Sequence, residues 1–235
     1  MSDIGAAFVA AFHLIVSMDP RLAEIVFLSF RVSFLAVTLA TVVGLPVGAA
    51  VALFRFPGRK MAIVALNSMM GLPPVVVGLI VYLSLSRSGP LGVFGLLFTP
   101  SAMIIAQFLL ITPIIAALAR QVIEDLWREY EEQLRSLGAG PLRALFTLLW
   151  DGRFSLFTAV LAGFGRASAE VGAVMIVGGN IDHVTRVMTT AISLEVSKGD
   201  LPLALGLGLI LISISISVNA AVFWIRERAS RHLYA

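Results

Sequence analysis

Few side chains in this 235-residue chain have types and spacings suited to chemistry. The sequence contains no cysteine, which excludes a disulfide, a thiolate nucleophile and a cysteine-ligated metal. The three histidines, His13, His183 and His232, are far apart and predict neither a metal site nor a catalytic set. No phosphate-binding loop of the Gly-x4-Gly-Lys-Ser/Thr type is present. We therefore expect a chain that is not itself an enzyme and that binds no cofactor, metal or nucleic acid.

Two opposite charges within an apolar run stand out. Arg166 and Glu170 are spaced to lie one turn apart on the same helix face. A charge in the bilayer core costs about 2.5–3.5 kcal/mol even on mild insertion scales, so both side chains must face protein or water. With Gly172 and Asn180 nearby, the pair predicts either the lining or gate of a pathway, or a buried pair that fixes this helix to its neighbours.

A polar stretch covers residues 120–153 and carries acids and arginines at helical spacings. Two i,i+4 pairs fit a solvated helix that continues an apolar one: Glu124 with Arg128, and Glu131 with Arg135.

The same stretch contains the signals of a bend between two helices. Gly138 stands where a helix would end in the left-handed conformation, and Pro141 suits the first position of the next helix. One apolar face is predicted on this second helix: Leu142, Leu145, Phe146 and Leu149. The alternative is an ordinary loop with a membrane-surface helix.

The composition indicates that lipid surrounds these groups. Hydrophobic residues make up 59% of the chain and charged residues 13%, with a mean hydropathy of +0.97. Five apolar segments reach the roughly 20 residues that a helix needs to cross a bilayer: Ile25 to Phe54, Met61 to Ser86, Ala102 to Ala119, Phe154 to Gly179 and Leu201 to Ile225. We predict an all-α polytopic membrane protein with one transmembrane domain over residues 1–235.

Three further features refine this topology. The apolar run from Ile4 to Ser17 is too short to span, so residues 1–22 are predicted to hold an interfacial helix, with a sixth crossing as the alternative. Pro73–Pro74 and Thr112–Pro113 are expected to kink or interrupt the second and third spans. Eleven lysines and arginines fall in one set of loops and four in the other, which places the N-terminus outside and the C-terminus in the cytoplasm.

The polar stretch contains Glu132-Gln133-Leu134-Arg135-Ser136-Leu137-Gly138 between the third and fourth spans. This run resembles the "EAA" loop of ABC importer permeases, in which a glutamate precedes an invariant glycine by six residues. Gln133 and Leu134 replace the family's two alanines, and Leu148-Leu149-Trp150-Asp151 replaces its Ile-x-Leu-Pro sequence, so the end of the second helix departs from the pattern.

The resemblance implies the fold of a type I ABC importer permease and a role for residues 120–153 as its cytoplasmic coupling loop. The residues implied to contact an ATPase subunit are Glu132, Arg135, Ser136, Gly138, Ala139, Gly140, Pro141 and Leu142.

Three other runs resemble the molybdate and tungstate permeases: Gly163 to Ala173, Gly178-Gly179-Asn180-Ile181 and Leu72 to Gly78. Asp182, Thr185-Arg186, Thr189-Thr190-Ala191 and the short N-terminus look most similar to the tungstate branch.

This likeness implies an importer of a tetrahedral oxyanion, working by alternating access in the cytoplasmic (inner) membrane of a bacterium or archaeon. Its implied partners are a second copy of the chain, two ATPases that hold ATP and magnesium, an external oxyanion-binding protein and the lipid bilayer. The alternatives are a permease for another small anion such as sulfate, an ion-gradient-driven transporter, for which Glu170 is the only carboxylate candidate, and a membrane anchor.

Overall fold

A computed structural model describes residues 8, 9, 12, 13, 16, 17 and 19–233 of the chain. The regular structure of residues 19–233 is helical, which confirms the all-α prediction, and a short 3-10 turn covers Gly92–Phe94. The nine α-helices of this range are α1 (Pro20–Leu53), α2 (Arg59–Met70), α3 (Pro74–Leu85), α4 (Pro100–Ser136), α5 (Pro141–Asp151), α6 (Arg153–Ser168), α7 (Gly172–Gly178), α8 (Met188–Lys198) and α9 (Leu201–Leu233).

Three of these helices, α1, α4 and α9, are long and apolar enough to cross a membrane. The number rises to five when each of two bent pairs, α2 with α3 and α5 with α6, is taken as one span. The upper number equals the five crossings predicted from the sequence, but its fourth span covers Pro141–Ser168 and not the predicted Phe154 to Gly179. The predicted interfacial helix over Ile4 to Ser17 lies largely outside the described residues.

Proline has different effects in the second and third segments. Helix α2 ends at Met70 and α3 begins at Pro74, so the expected interruption at Pro73–Pro74 is present. Pro113 lies inside α4 and does not interrupt it. The Thr112 hydroxyl donates to the Phe108 carbonyl oxygen at 2.7 Å, so this turn keeps a hydrogen bond beside the one that proline removes.

The fourth apolar segment is not the single helix predicted over Phe154 to Gly179. Helix α6 ends at Ser168, and the short helix α7 begins only at Gly172. The break has a local cause, because Oε1 of Glu170 accepts a hydrogen bond of 3.0 Å from the Ala173 N–H and so caps α7. With 16 residues, α6 is about 24 Å long at 1.5 Å per residue and falls short of the roughly 30 Å hydrocarbon core.

The chain divides into two compact units. Unit 1 contains the described residues up to 34, residues 74–106 and those from 168 onward. The start of α1 packs there with α8 and α9 through a buried cluster of Leu22, Ile25, Met188, Ala191 and Leu207. Helices α3 and α7 approach closely at Gly78, where a Cβ atom would lie 2.7 Å from the Ala173 Cα.

Unit 2 contains residues 35–73 and 107–167. It holds the second half of α1, most of α4, and helices α2, α5 and α6. Its core is rich in alanine, which lets the helix backbones approach each other, and consists of Ala49, Ala52, Ala119, Ile123, Leu145, Leu148 and Leu156. This core positions the polar end of α4 and the whole of α5.

Candidate functional site

The polar end of α4, residues 120–136, is a continuous helical extension of the apolar part of the same helix, and we call it the arm. Both predicted i,i+4 pairs are present. Arg135 lies 2.6 Å from Glu131, and Arg128 lies 3.5 Å from Glu124. Because charges recur on successive turns, the arm is suited to water and not to hydrocarbon.

The arm ends in a hydrogen-bonded left-handed turn at Gly138, which has a φ of +68°. The Gly138 N–H donates to the Arg135 carbonyl at 3.0 Å, and the Ala139 N–H donates to the Leu134 carbonyl at 2.9 Å. This pair of bonds is the Schellman arrangement that satisfies the last carbonyls of a helix, and only glycine adopts the required φ at little cost. The predicted helix end at Gly138 is confirmed.

Helix α5 begins directly after this turn. Gly140 is its N-cap in an extended conformation, with φ −67° and ψ 164°, and Pro141 is its first residue, as predicted. We call residues 137–140, which join the arm to α5, the elbow. At its other end α5 meets α6 at Gly152 with a bend of 74°.

The apolar residues of α5 do not form the single face predicted from Leu142, Leu145, Phe146 and Leu149. Leu145 is buried in the core of unit 2 together with Ala144 and Leu148. Three large side chains on another side of the helix remain exposed, at 64, 69 and 72% of their surface, and we call them the apolar stripe: Leu142, Phe146 and Trp150. The difference arises because α5 has apolar residues around more than half of its circumference, so packing of one side leaves a second apolar side free.

A cavity of about 270 Å³ lies where the arm, the elbow and α5 meet. Its charged lining residues are Arg55, Glu131 and Arg135, and its remaining lining residues are Leu53, Trp127, Ala139, Pro141 and Ala144. The elbow therefore carries a small polar hollow next to the exposed apolar stripe.

The arm also carries Tyr130, which faces two carboxylates. The charge of Glu129, and to a smaller extent that of Asp151 on α5, raises the pKa of the Tyr130 phenol above its ordinary value. The phenol therefore stays protonated throughout the physiological range of pH, and the arm gains no charge there.

The structure brings the predicted coupling residues together at one end of unit 2. Glu132, Ser136, Gly138, Gly140 and Leu142 are exposed, and Ala139 is half-buried. The side chain of Arg135 is 65% exposed, although it pairs with Glu131. These positions follow one another along the outer side of the arm and elbow, where a partner protein can reach them.

The residues predicted to line the pathway do not lie on one continuous helix. Because α6 ends at Ser168, Arg166 and Glu170 do not lie one turn apart on a common helix. Glu170 is 4% exposed and caps α7, and Gly172 faces Val75 of α3. Their role in a pathway stays a prediction.

Asn180, the fourth of these residues, follows α7 in a left-handed conformation with a φ of +50°. Its amide donates to the Thr190 carbonyl oxygen at 3.4 Å, and its own side-chain oxygen is buried without a hydrogen-bond partner. The adjacent loop is held by the buried hydroxyl of Thr185, which donates to the Gly178 carbonyl at 2.6 Å and accepts from the Ile181 N–H at 2.9 Å.

Two charged clusters were not predicted from the sequence. In unit 1, a cavity of about 340 Å³ is lined by a hydrogen-bonded contact of Glu24 with His183 and by ion pairs of Asp182 with Arg186 and of Glu195 with Lys198. In unit 2, Glu124 faces Arg59 and Arg120 as well as Arg128. Of these contacts only Glu124 with Arg128 was predicted, by its i,i+4 spacing, because contacts between distant segments depend on the fold.

Residues 44–231 match the protein family described as "Binding-protein-dependent transport system inner membrane component". The Peptoclostridium acidaminophilum protein named "Tungstate uptake system permease protein TupB" is 43% identical over 227 residues, which cover 97% of this chain and 100% of that protein. The protein of the same name from Campylobacter jejuni is 43% identical over 147 residues, which cover 63% of this chain and 62% of that protein.

A more distant relative is the "Molybdenum transport system permease protein ModB" of Escherichia coli, with 29% identity over 177 residues that cover 72% of this chain and 77% of that protein. The family match begins within α1 and ends within α9, so it covers the arm, the elbow and α5 together with the helices between. The resemblance found from the sequence motifs is confirmed. This chain belongs to the binding-protein-dependent transport system inner membrane components, the permease family of ABC importers, and it is an integral membrane transport subunit.

Proposed function

We propose that this chain is the permease of an ATP-driven tungstate importer. It works as two copies together with two ATPase subunits and an external protein that binds the oxyanion first. ATP and magnesium bind to the ATPase subunits and not to this chain. The 43% identity to tungstate permeases, against 29% to the molybdenum permease, supports tungstate over other anions.

The apolar stripe at the end of the charged arm is the observation that carries the coupling part of this proposal. Three large apolar side chains are exposed on a helix that adjoins the water-suited arm. Such a combination fits the apolar groove of a protein partner, into which a short helix lays its exposed side. Closure of the ATPases on ATP would then displace the elbow and, through α4 and α5, the spanning helices.

The arm and elbow belong on the cytoplasmic side in this proposal. The excess of lysine and arginine in the loops on that side supports this orientation, with the N-terminus outside and the C-terminus in the cytoplasm.

The break between α6 and α7 is proposed to lie along the oxyanion's route. Irregular backbone at membrane depth is tolerated only where protein or a water-filled cavity satisfies it. Glu170 meets this requirement by capping α7, and Arg166, Gly172 and Asn180 are the other residues that we assign to the route.

A charge placed in the stripe tests the coupling assignment. We expect Phe146→Glu to prevent co-purification of the ATPase and to abolish ATP-driven uptake of radiolabelled tungstate into proteoliposomes. Thr147→Glu is the matched control, because it places the same charge on the same helix at an exposed position outside the stripe. Retention of the ATPase by Phe146→Glu, or its equal loss in both variants, would contradict the assignment.

The substrate is tested by letting unlabelled anions compete with radiolabelled tungstate for uptake by the wild-type complex. We expect unlabelled tungstate to displace the labelled ion at lower concentration than molybdate, and molybdate at lower concentration than sulfate. Equal displacement by sulfate would overturn the substrate while leaving the coupling assignment intact.

A further inference from the structure

Glu124, near the start of the arm, faces three arginines. Its carboxylate forms a close ion pair with Arg120 on the preceding turn, and it lies 3.5 Å from Arg128 on the following turn. The third partner is Arg59, the first residue of α2, whose Nη2 lies 3.7 Å from Oε1 of Glu124. The Glu124 side chain is 25% exposed and that of Arg120 is 11% exposed, so water screens this pair less than it screens the Glu131–Arg135 pair, whose arginine is 65% exposed.

Arg59 is itself fixed to the end of α1. Its Nε donates to the Val51 carbonyl at 2.8 Å, and its Nη2 donates to the Ala52 carbonyl at 3.0 Å. These carbonyls belong to the last turn of α1, which lacks intrahelical donors and where a positive charge is favourable. Because two hydrogen bonds hold the guanidinium, its contact with Glu124 joins the arm to the end of α1.

The Glu124 carboxylate also compensates the charge of Arg120, one turn earlier on α4. The Arg120 side chain is only 11% exposed, and its Nε is buried without a hydrogen-bond partner. Among the described residues, Glu124 is the one acid within ion-pair distance of Arg120. Removal of that carboxylate would leave a largely buried positive charge uncompensated.

The other acids of the arm make no comparable link. Asp125 is 77% exposed and lies 3.8 Å from Arg128, on its own helix. Glu131 pairs with Arg135, also on its own helix. Within the part of the chain that the structure describes, Glu124 is the arm residue whose ion pairs reach from α4 to α2.

We propose that Glu124 is a positioning residue for energy coupling, which ties the arm to the end of α1 through Arg59, so that displacement of the elbow moves α1 together with α4. This proposal rests on the proposed coupling to an ATPase. Without the tie, the arm would follow the ATPase while α1 stayed behind, and ATP would be hydrolysed with little transport.

The test is the number of tungstate ions imported per ATP hydrolysed, measured in proteoliposomes with the complete complex. This ratio does not depend on how much folded protein each sample contains, so a merely structural loss would not change it. We expect Glu124→Gln to lower the ratio by roughly 5- to 150-fold, the range of typical coupling between two sites, while ATP hydrolysis persists. Asp125→Asn, the matched control one residue away, is expected to leave the ratio unchanged.

A double-mutant cycle identifies the route. If Glu124 acts through Arg59, Arg59→Gln lowers the ratio by a similar factor, and the double variant is no worse than the more impaired single variant. If the Glu124→Gln permease fails to assemble with the ATPase, the ratio is measured in Arg59→Lys instead. A lysine keeps the charge at the end of α1 but lacks the planar fork that contacts two carbonyls and a carboxylate, so the ratio is expected to fall with assembly intact.

A wild-type ratio in an assembled Glu124→Gln complex, or an equal fall in Asp125→Asn, would overturn this inference. So would a wild-type ratio in Arg59→Lys, or effects of Glu124→Gln and Arg59→Gln that simply multiply in the double variant. Failure of the wild-type complex to import tungstate at all would instead overturn the proposed function.

Discussion

Replacement of Gly138 by alanine isolates the strain of the elbow. At a φ of +68° a side chain costs about 1–2 kcal/mol, because the Cβ atom crowds the following carbonyl oxygen. A Cβ at this position would meet no other atom within 4 Å, so backbone strain is the whole effect on the folded state. We expect the free Gly138→Ala permease to relieve this strain by straightening the elbow. Docking to the ATPase must then restore the bend, so the strain energy is lost from the binding free energy. A loss of about 1–2 kcal/mol corresponds to a roughly 5- to 30-fold weaker affinity for the ATPase.

Gly140→Ala is the matched control for this prediction. Gly140 lies two residues away, also has open space around a would-be Cβ, and has an ordinary φ of −67°. Both alanines reduce the freedom of the unfolded chain alike, so that contribution cancels between them. Titration of the purified permease variants with the ATPase should give a Kd for Gly138→Ala that is about 5- to 30-fold above that for Gly140→Ala. Gly138→Asn should lie between them, because asparagine tolerates the left-handed region.

Equal ATPase affinity and equal thermal stability of Gly138→Ala and Gly140→Ala would refute this reasoning. The stronger change, Gly138→Pro, forces φ to about −65° and removes the hydrogen bond to the Arg135 carbonyl. We expect Gly138→Pro to abolish uptake while the permease remains in the membrane, as measured by immunoblot of isolated membranes.

Two further substitutions test the packing that supports the site, each by thermal unfolding in detergent. Gly48→Ala should destabilise unit 2 by about 1–3 kcal/mol, because its Cβ would overlap a backbone carbonyl oxygen of α4, whereas Gly208→Ala on α9 has open space and should be neutral. Thr185→Val should cost about 1–3 kcal/mol because it leaves the buried Gly178 carbonyl oxygen without its hydroxyl donor, whereas Thr158→Val, at an exposed position, should stay within about 0.5 kcal/mol. An equal effect within either pair would contradict the packing described for that position.

The elbow could be predicted from the sequence because its signals are local. A glycine followed by a proline, flanked by i,i+4 charge pairs, specifies a helix end and a helix start without knowledge of the rest of the fold. Gly138, Gly140 and Pro141 accordingly have the predicted roles. The apolar segments were equally clear, since lipid requires long uninterrupted runs.

The break after α6 could not be predicted because the apolar pattern is compatible with one helix or with two. At the break, the Glu170 carboxylate accepts a hydrogen bond from the Ala173 N–H at the start of α7, and hydrophobic spacing gives no signal for such a cap. The buried side of α5 was ambiguous for a similar reason. Leu145 and Phe146 are adjacent and apolar, and only the position of the alanine-rich core determines which of them is buried.

The tie between Glu124 and Arg59 depends on the tertiary fold alone. The two residues are distant in sequence and neither belongs to a motif. Arg59 counts in the sequence only as one of the positive charges that orient the chain in the membrane. Its hydrogen bonds to the end of α1 and its contact with Glu124 of α4 are seen only in the folded chain.

Thiol labelling at position 146 tests the central claim, that the apolar stripe faces the cytoplasm and is covered by an ATPase. The chain contains no cysteine, so Phe146→Cys introduces a unique thiol. We predict that a membrane-impermeant maleimide labels it in inside-out vesicles stripped of the ATPase, but not in intact cells, and that added ATPase protects it. Labelling from outside intact cells, or equal labelling with and without the ATPase, would contradict the account.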